Sequence, residues 1–161
     1  MIFVTVGTQN QNFNRLFKYV NELSLKERII VQRGKSNFQF RPDILSFDYL
    51  NYEEMDDMIR NARVVVTHGG GGTIFKALRM NKRVIVVPRM RCYGEHINNH
   101  QVEIANFLKH RNLCLVALNK NDFLKSINEI DNYSFNKYIS KEEEFLSKIE
   151  YYIDLLLREN E

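Results

Sequence analysis

Four consecutive glycines, Gly69 to Gly72, follow His68 at the end of an apolar run and precede Thr73 and a segment of helical periodicity. Free N–H groups at a helix N-terminus point toward solvent, the helix dipole adds positive potential, and glycine lets a ligand approach the backbone closely. This order of residue types predicts an anion site of the kind that holds phosphate. The structural alternative is a tight turn whose glycines only allow the helix to pack on the strand.

Two common phosphate-binding motifs are excluded by their spacing. A P-loop requires G-x-x-x-x-G-K-[ST], and a dinucleotide-binding turn requires G-x-G-x-x-G. Counted from Gly69, the last glycine of either motif falls at Ile74, and no Lys-Ser/Thr pair follows it. The first predicted turn, Gly7-Thr8-Gln9-Asn10, also lacks the dinucleotide fingerprint.

A second polar cluster lies between Pro88 and the next predicted helix. Arg89 and Arg91 carry guanidinium groups that suit bidentate contacts with phosphate. Glu95 and His96 can remove a proton from a sugar hydroxyl, so they are the candidate catalytic bases. The plain alternative is that these residues form the solvated start of a helix.

A metal site is a second interpretation of the same segment. His96, His100 and Glu103 stand at i, i+4 and i+7, so a helix through all three would carry them on one face. Their order is not H-E-x-x-H, and the sequence offers no other clear ligand. We therefore expect no metal and no other cofactor.

These residues must be positioned by strands and helices that alternate along the chain. The predicted strands are Ile2–Val6, Ile29–Gln32, Ile44–Phe47, Val64–Thr67, Arg83–Val87 and Leu113–Ala117, and the predicted helices are Phe13–Leu23, Glu53–Asn61, Thr73–Arg79, Asn98–His110 and Asn119–Ile130. Runs such as VVV and VIVV suit strands buried on both faces, so we predict a doubly wound, Rossmann-like α/β sandwich around a parallel sheet. Asn119 is the expected N-cap of the last helix.

The loops after parallel strands meet at one edge of the sheet, where ligands bind. Four predicted loops fall there, at Gly7–Gln9, Phe47–Tyr49, His68–Thr73 and Pro88–His96. We expect them to line a single crevice.

Composition and charge narrow the class of protein. The 161 residues are 44% hydrophobic and 27% charged and include two cysteines, which suits one globular domain in the reducing cytoplasm. No apolar stretch approaches the roughly 20 residues of a membrane span, and the N-terminus is typical of a strand rather than a signal peptide. Within that domain, residues 1–118 are expected to form the sheet and its loops, and residues 119–161 a C-terminal helical segment.

Charge is distributed unevenly along the chain. Residues 1–119 carry 17 Lys/Arg and 10 Asp/Glu, whereas residues 120–161 carry 6 and 10. The glycine loop therefore lies in the basic part, which favours an anionic ligand. Scattered solvated lysines are the plain alternative.

Three motifs in order resemble the nucleotide-sugar half of GT-B glycosyltransferases of family 28. They are FVTVGTQ, then FDYLNYEEMDDMIRNARVVVTHGGGGTI, then VIVVPRMRCYGEHINNHQVEIANFL. The chain is most similar to the small PssE-like subunits of bacterial capsule and exopolysaccharide synthesis. Those in turn resemble the cytosolic subunit of the two-chain N-acetylglucosaminyltransferase that acts on dolichol-linked sugar.

The resemblance assigns roles to individual residues, all of them in binding a nucleotide sugar. It places Gly7 and Thr8 near the diphosphate, Tyr49 and Leu50 against the uracil, His68, Gly69, Gly70, Gly71, Gly72 and Thr73 around the phosphates, and His100 and Gln101 at the donor sugar. One position departs from the pattern. Distant relatives hold the ribose with a Glu three residues after the loop Thr, where this chain has Lys76, either a phosphate contact or a solvated helix residue.

A GT-B enzyme has two sandwiches, and this sequence accounts for the donor-binding one. The resemblance thus implies a membrane-associated, PssD-like partner and a lipid-linked saccharide as acceptor, with this chain at the inner face of the membrane. We expect a UDP-sugar-dependent, inverting hexosyltransferase subunit, for galactose, glucose or N-acetylglucosamine, with no nucleic acid as partner. The alternatives are a non-catalytic UDP-sugar-binding subunit and an unrelated nucleotide enzyme of the α/β class.

The C-terminal segment is predicted to be an amphipathic helix. Phe145, Ile149, Tyr152 and Leu156 form one apolar stripe, with Leu146, Ile153 and Leu157 beside it. Such a face must be covered, either by the chain's own sheet or by the partner.

Overall fold

The computed structural model of the chain describes residues 1–140, and its core is a parallel sheet. Among these residues six strands pair in the order β3-β2-β1-β4-β5-β6. The strands are β1 Ile2–Thr5, β2 Ile29–Gln32, β3 Leu45–Phe47, β4 Val64–Thr67, β5 Arg83–Val86 and β6 Leu115–Val116. The three central apolar strands β1, β2 and β4 are buried along their whole length, as the continuous β-branched runs predict.

Five α-helices within residues 1–140 cover the two faces of the sheet. They are α1 Asn14–Asn21, α2 Tyr52–Asn61, α3 Gly71–Arg79, α4 His100–His110 and α5 Lys120–Glu129. Helices α1 and α5 contribute to the core on one face, and α2, α3 and α4 to the core on the other. This arrangement confirms the predicted doubly wound α/β sandwich.

The strand order reverses between β1 and β4, and this reversal positions the site. Both strands are parallel and in register, so that Thr5 lies beside Thr67 on one side and beside Gln32 on the other. The loops that leave β1 and β4 turn toward opposite faces of the sheet, which opens a crevice between them. The loop residues Gly7 and His68 lie directly above this point.

The observed boundaries differ from the predicted ones in three informative places. Helix α3 begins at Gly71 rather than Thr73, so two of the four glycines form its first turn. Helix α4 begins at His100 rather than Asn98, and β6 has only two residues. The Asn119 cap is confirmed, because its side chain accepts a hydrogen bond from the Asp122 N–H.

Two further predictions concern membrane contact and the C-terminus. None of the helices described within residues 1–140 is long and apolar enough to cross a bilayer. The predicted amphipathic helix with its stripe from Phe145 to Leu157 lies outside the described residues.

Candidate functional site

The loops after β1 and β4 contact each other through one histidine ring. A Cβ atom on Gly7 would lie 2.6 Å from His68 Cε1, and one on Gly70 would lie 2.2 Å from His68 Nε2. Gly7 also has a φ of +71°, which disfavours any side chain. The imidazole is therefore held between two glycine backbones, and neither position has room for alanine.

The His68 ring is held in its neutral form. Burial lowers its pKa to about 4, and the positive charge of Arg89 acts in the same direction. Its Nδ1 lies 3.3 Å from the Thr67 hydroxyl. At neutral pH this side chain offers a hydrogen bond without a charge.

This depressed pKa predicts a pH-dependent stability. The folded-state value of about 4 lies below the ordinary 6.5, so protons bind the unfolded chain more readily. The stabilisation is complete above pH 6.5 and is lost as the pH falls toward 4, by about 3 kcal/mol in total. Urea unfolding of the wild type and of His68→Gln at pH 7.5, 5.5 and 4 should show the gap between them narrowing in acid.

A matched control for that series is His110→Gln, on the exposed end of α4. Its free energy of unfolding should follow that of the wild type at every pH. A change that both share then comes from acid-titrating groups other than His68. A constant difference between wild type and His68→Gln from pH 7.5 to 4 would contradict a neutral, buried His68.

The first turn of α3 is the candidate anion-binding part of the site. Gly70 precedes the helix as its N-cap, and Gly71, Gly72 and Thr73 form its first turn. The N–H groups of a first turn have no partner within the helix. A Cβ on Gly72 would meet nothing within 4 Å, so this backbone faces open space that a ligand can enter.

Gln101 fixes the glycine loop from the side of α4. Its Oε1 accepts hydrogen bonds from the Gly69 N–H and the Arg89 N–H, both at 3.0 Å. A Cβ on Gly69 would lie 2.5 Å from Gln101 Cβ, so the two backbones touch. The carbonyl oxygen is thus committed to the loops, and Nε2 is the group that Gln101 can offer to a ligand.

Gln32 organises the other side of the crevice, and the sequence analysis missed it. Its Oε1 accepts from the Thr5 hydroxyl at 2.6 Å and from the Gly7 N–H at 3.2 Å. Its Nε2 donates to the Gly7 and Asp48 carbonyls at 3.0 and 2.9 Å. The sequence signal for this residue was its position, because Gln32 is the one polar residue of the run IIVQ and stands at the end of β2, beside the end of β1.

Arg89 differs from its predicted role as a phosphate contact. Its side chain is fully buried, and its guanidinium carbon lies 4.6 Å from the centroid of the Phe13 ring. The guanidinium donates to the backbone carbonyls of Val6, Gln11, Asn12 and Glu95. Burial lowers the pKa of Arg89 to about 10, so the guanidinium stays charged at neutral pH. Its hydrogen bonds to backbone carbonyls hold the loop after β1 in place.

Glu95 is buried in an ion pair rather than open to the crevice. Arg15 of α1 donates through Nε to Oε1 and through Nη2 to Oε2, both at 2.9 Å, and the Met90 N–H donates to Oε2 at 3.1 Å. The Arg15 guanidinium also donates to the Pro88 carbonyl at 2.8 Å. These contacts hold the loop after β5 against α1.

His96 and His100 lie on either side of the start of α4. His96 is half-buried, and its Nδ1 accepts a hydrogen bond from the Asn98 N–H, which leaves Nε2 for another group. His100 is exposed, with Nδ1 2.9 Å from a Glu103 carboxylate oxygen. Because the helix begins at His100, the three residues of the metal interpretation do not share a helix face.

The remaining predicted residues make no side-chain hydrogen bond to the glycine loop within residues 1–140. Thr8, Tyr49 and the Arg91 side chain are exposed, and Leu50 packs against the core under α2 and α3. Over the same residues, no group of three His, Cys, Asp or Glu side chains is arranged to hold a metal ion.

Lys76 lies one helical turn after Gly72, and its ammonium is paired rather than free in solvent. Its ammonium forms a close ion pair with Asp56 of α2 and lies 3.6 Å from the centroid of the Tyr52 ring. The pair joins α2 to α3 just beyond the anion-binding turn.

Comparison with known proteins places this arrangement in a family. The model of the glycosyltransferase family 28 C-terminal domain matches residues 1–154. The UDP-N-acetylglucosamine transferase subunit ALG13 of Candida albicans is 28% identical over 107 residues, 66% of this chain and 32% of that protein. The UDP-N-acetylglucosamine--N-acetylmuramyl-(pentapeptide) pyrophosphoryl-undecaprenol N-acetylglucosamine transferase of Streptococcus agalactiae is 27% identical over 159 residues, 94% of this chain and 43% of that protein. The chain thus spans less than half the length of each of these two relatives.

Solved structures show the same fold at low identity. The solution structure of ALG13 superposes with a TM-score of 0.58 at 16% identity and covers 92% of this chain and 93% of that one. MurG of Acinetobacter baumannii gives a TM-score of 0.57 at 13% identity, over 81% of this chain and 41% of that one. The fold is therefore that of GT-B glycosyltransferase domains. By its sequence match, the chain belongs to the family of glycosyltransferase family 28 C-terminal domains.

Proposed function

We propose that this chain is the UDP-sugar-binding, catalytic subunit of a two-chain inverting glycosyltransferase. It would transfer a hexose, namely galactose, glucose or N-acetylglucosamine, to a lipid-linked saccharide in capsule or exopolysaccharide assembly. The observation that carries the proposal is the first turn of α3, whose Gly72 backbone faces open space and whose N-cap, Gly70, contacts the neutral His68 ring. A diphosphate would fit there because the fixed N–H dipoles of a helix N-terminus stabilise its charge.

The same turn supplies the electrostatic part of the reaction. The acceptor hydroxyl attacks C1 of the donor sugar from the face opposite UDP, the C1–O bond to the diphosphate breaks, and the configuration inverts. Negative charge accumulates on the departing UDP, and the N–H groups of Gly71, Gly72 and Thr73 in the first turn of α3 would stabilise it. In this scheme Gln101 Nε2 contacts the donor sugar, and no metal is required.

The proton of the acceptor hydroxyl needs a base. Of the two candidates, His96 keeps a free ring nitrogen, whereas both carboxylate oxygens of Glu95 accept bonds from Arg15. We therefore assign the base to His96 and a supporting role to Glu95. The ion pair of Glu95 with Arg15 also favours a second candidate function. In that case this chain only binds UDP-sugar, and the partner supplies the base.

The relatives support the two-chain assignment. ALG13 is named as a subunit of a UDP-N-acetylglucosamine transferase, and its solved chain is matched over 93% of its length. The Streptococcus agalactiae relative is more than twice as long as the region matched. A separate, membrane-associated, PssD-like chain would provide the acceptor-binding sandwich and hold this chain at the cytoplasmic face of the membrane.

Calorimetric titration of the chain with UDP, ADP and NADH, each with and without EDTA, tests the proposal. We expect UDP to bind at least tenfold more tightly than ADP, with no effect of EDTA. Gly72→Ala should weaken UDP binding at least tenfold while leaving the thermal midpoint unchanged or higher, because its Cβ meets no protein atom and alanine favours helices. Tighter binding of ADP or NADH would overturn the glycosyltransferase assignment.

A further inference from the structure

A second cavity lies directly beside the anion-binding turn. It has a volume of about 270 Å³ and is lined by Tyr52, Asp56, Gly72, Lys76, Arg79 and Met80. Gly72 belongs both to this cavity and to the first turn of α3. A group attached to a phosphate on that turn therefore has this cavity as a neighbouring space, and its size is near the lower limit of small-molecule sites, roughly 300 Å³.

Among the polar groups that line this cavity, the Asp56 carboxylate is the one that cannot donate a hydrogen bond to a phosphate. An ionised carboxylate only accepts hydrogen bonds, so it repels a phosphate and selects a partner that carries hydroxyl or amine donors. Asp56 is 20% exposed, and Lys76 occupies one of its carboxylate oxygens. A carboxylate has about four lone-pair positions, which leaves acceptor capacity for two adjacent hydroxyls.

Lys76 compensates the negative charge of Asp56, which would otherwise repel a diphosphate on the neighbouring turn. Its ammonium pairs with Asp56 and is fixed over the face of Tyr52 at 3.6 Å from the ring centroid. The pair is neutral overall, so the anion site keeps the positive potential of the helix terminus. The contacts also hold the carboxylate in one orientation, which lowers the entropic cost of binding.

We propose that Asp56 recognises the pentose diol of the nucleoside diphosphate whose phosphates lie on the first turn of α3. In a nucleoside diphosphate the pentose is one methylene removed from the phosphate, so its vicinal hydroxyls can reach the cavity that adjoins Gly72. Both hydroxyls donate to the carboxylate, and Lys76 positions it. This assignment rests on the proposed UDP-sugar function. It adds that the nucleotide site selects ribose over deoxyribose.

A ligand-and-variant cycle tests the inference. The full chain and its Asp56→Ala variant are each titrated with UDP and with 2′,3′-dideoxy-UDP. In the wild type we expect UDP to bind about 30-fold more tightly than the dideoxy compound. In Asp56→Ala the two should bind within about threefold of each other, through a loss of UDP affinity alone.

Two matched variants separate recognition from stability. Asp57→Ala removes the adjacent, exposed carboxylate, which pairs with Arg60 on its own helix, and should keep the wild-type ratio. Asp56→Asn retains an acceptor oxygen of the same shape and should keep part of the discrimination, which a purely structural role would not produce. Thermal unfolding of each variant reports whether the fold is intact.

The outcomes distinguish this inference from the proposed function. If the wild type binds UDP and Asp56→Ala keeps the 30-fold ratio, Asp56 does not read the diol, while the UDP site stands. If the wild type binds UDP and dideoxy-UDP equally, the inference is also overturned. If the wild type binds no UDP at all, the proposed function fails and this inference fails with it.

Discussion

Gly69→Ala is expected to abolish UDP binding, with at least a 100-fold loss of affinity, and to lower the free energy of unfolding by about 3 kcal/mol. The new Cβ would lie 2.5 Å from Gln101 Cβ, 2.7 Å from the Gln101 carbonyl oxygen and 2.9 Å from Gln101 Cα. Two of these atoms belong to the α4 backbone, so no rotamer change relieves the contact and one element must move. Movement breaks the bond from the Gly69 N–H to Gln101 Oε1 and displaces the His68 ring and Gly70 together.

Gly71→Ala is the matched control for this variant. Its Cβ would lie 3.4 Å from the Phe75 ring edge, an ordinary contact with a side chain that can shift. It should leave the free energy of unfolding within about 0.5 kcal/mol of the wild type or raise it, since alanine replaces glycine inside a helix. Urea unfolding of both variants compares their stability, and calorimetric titration measures the loss of UDP binding in Gly69→Ala. A Gly69→Ala variant that binds UDP normally would show that the contact between the loop and α4 does not shape the site.

The elements of this fold could be predicted because their signals are local. The runs of Val and Ile in β1, β2 and β4 and the apolar periodicity of α1 and α4 each lie within about a dozen residues. The Asn119 cap is equally local, since its acceptor and donor are three residues apart. The glycine loop was also found from its own sequence, because strand, glycines and helix follow each other directly.

The contacts that shape the site could not be predicted, because they join distant parts of the chain. Arg15 and Glu95 are 80 residues apart, and the Arg89 side chain bonds carbonyls 77 and 78 positions away. Sequence pattern indicates that Arg89 and Glu95 are charged residues in a loop near the site. Whether such a residue faces a ligand or supports the loop depends on which remote groups surround it, and here distant groups hold both side chains in buried contacts.

The Arg15–Glu95 pair therefore carries the second large expected effect. Glu95→Gln should lower the free energy of unfolding by about 3 kcal/mol, because removing one partner leaves the other charge buried without compensation. The side chains of Arg15 and Glu95 are only 11% and 5% exposed, so solvent screens little of this loss. The loop after β5 would loosen at Met90 and Pro88, and UDP affinity should fall about tenfold through the displaced Arg89 and Gln101 contact. Urea unfolding and calorimetry measure the two effects, and Asp57→Asn, which breaks an exposed pair, should change stability by less than about 0.5 kcal/mol.

A double variant separates support from catalysis at the same position. Replacing the pair with apolar residues of similar length, Arg15→Met with Glu95→Met, removes both buried charges and should recover more than half of the lost stability. If Glu95 acts only through the loop, UDP binding returns in the double variant, and sugar transfer by the assembled two-chain enzyme returns with it, while His96→Ala remains inactive. A double variant that binds UDP with wild-type affinity yet transfers no sugar would instead assign the base to Glu95. The free energy of unfolding and the UDP affinity thus measure the role of the ion pair. The rate of sugar transfer measures which residue removes the proton from the acceptor hydroxyl.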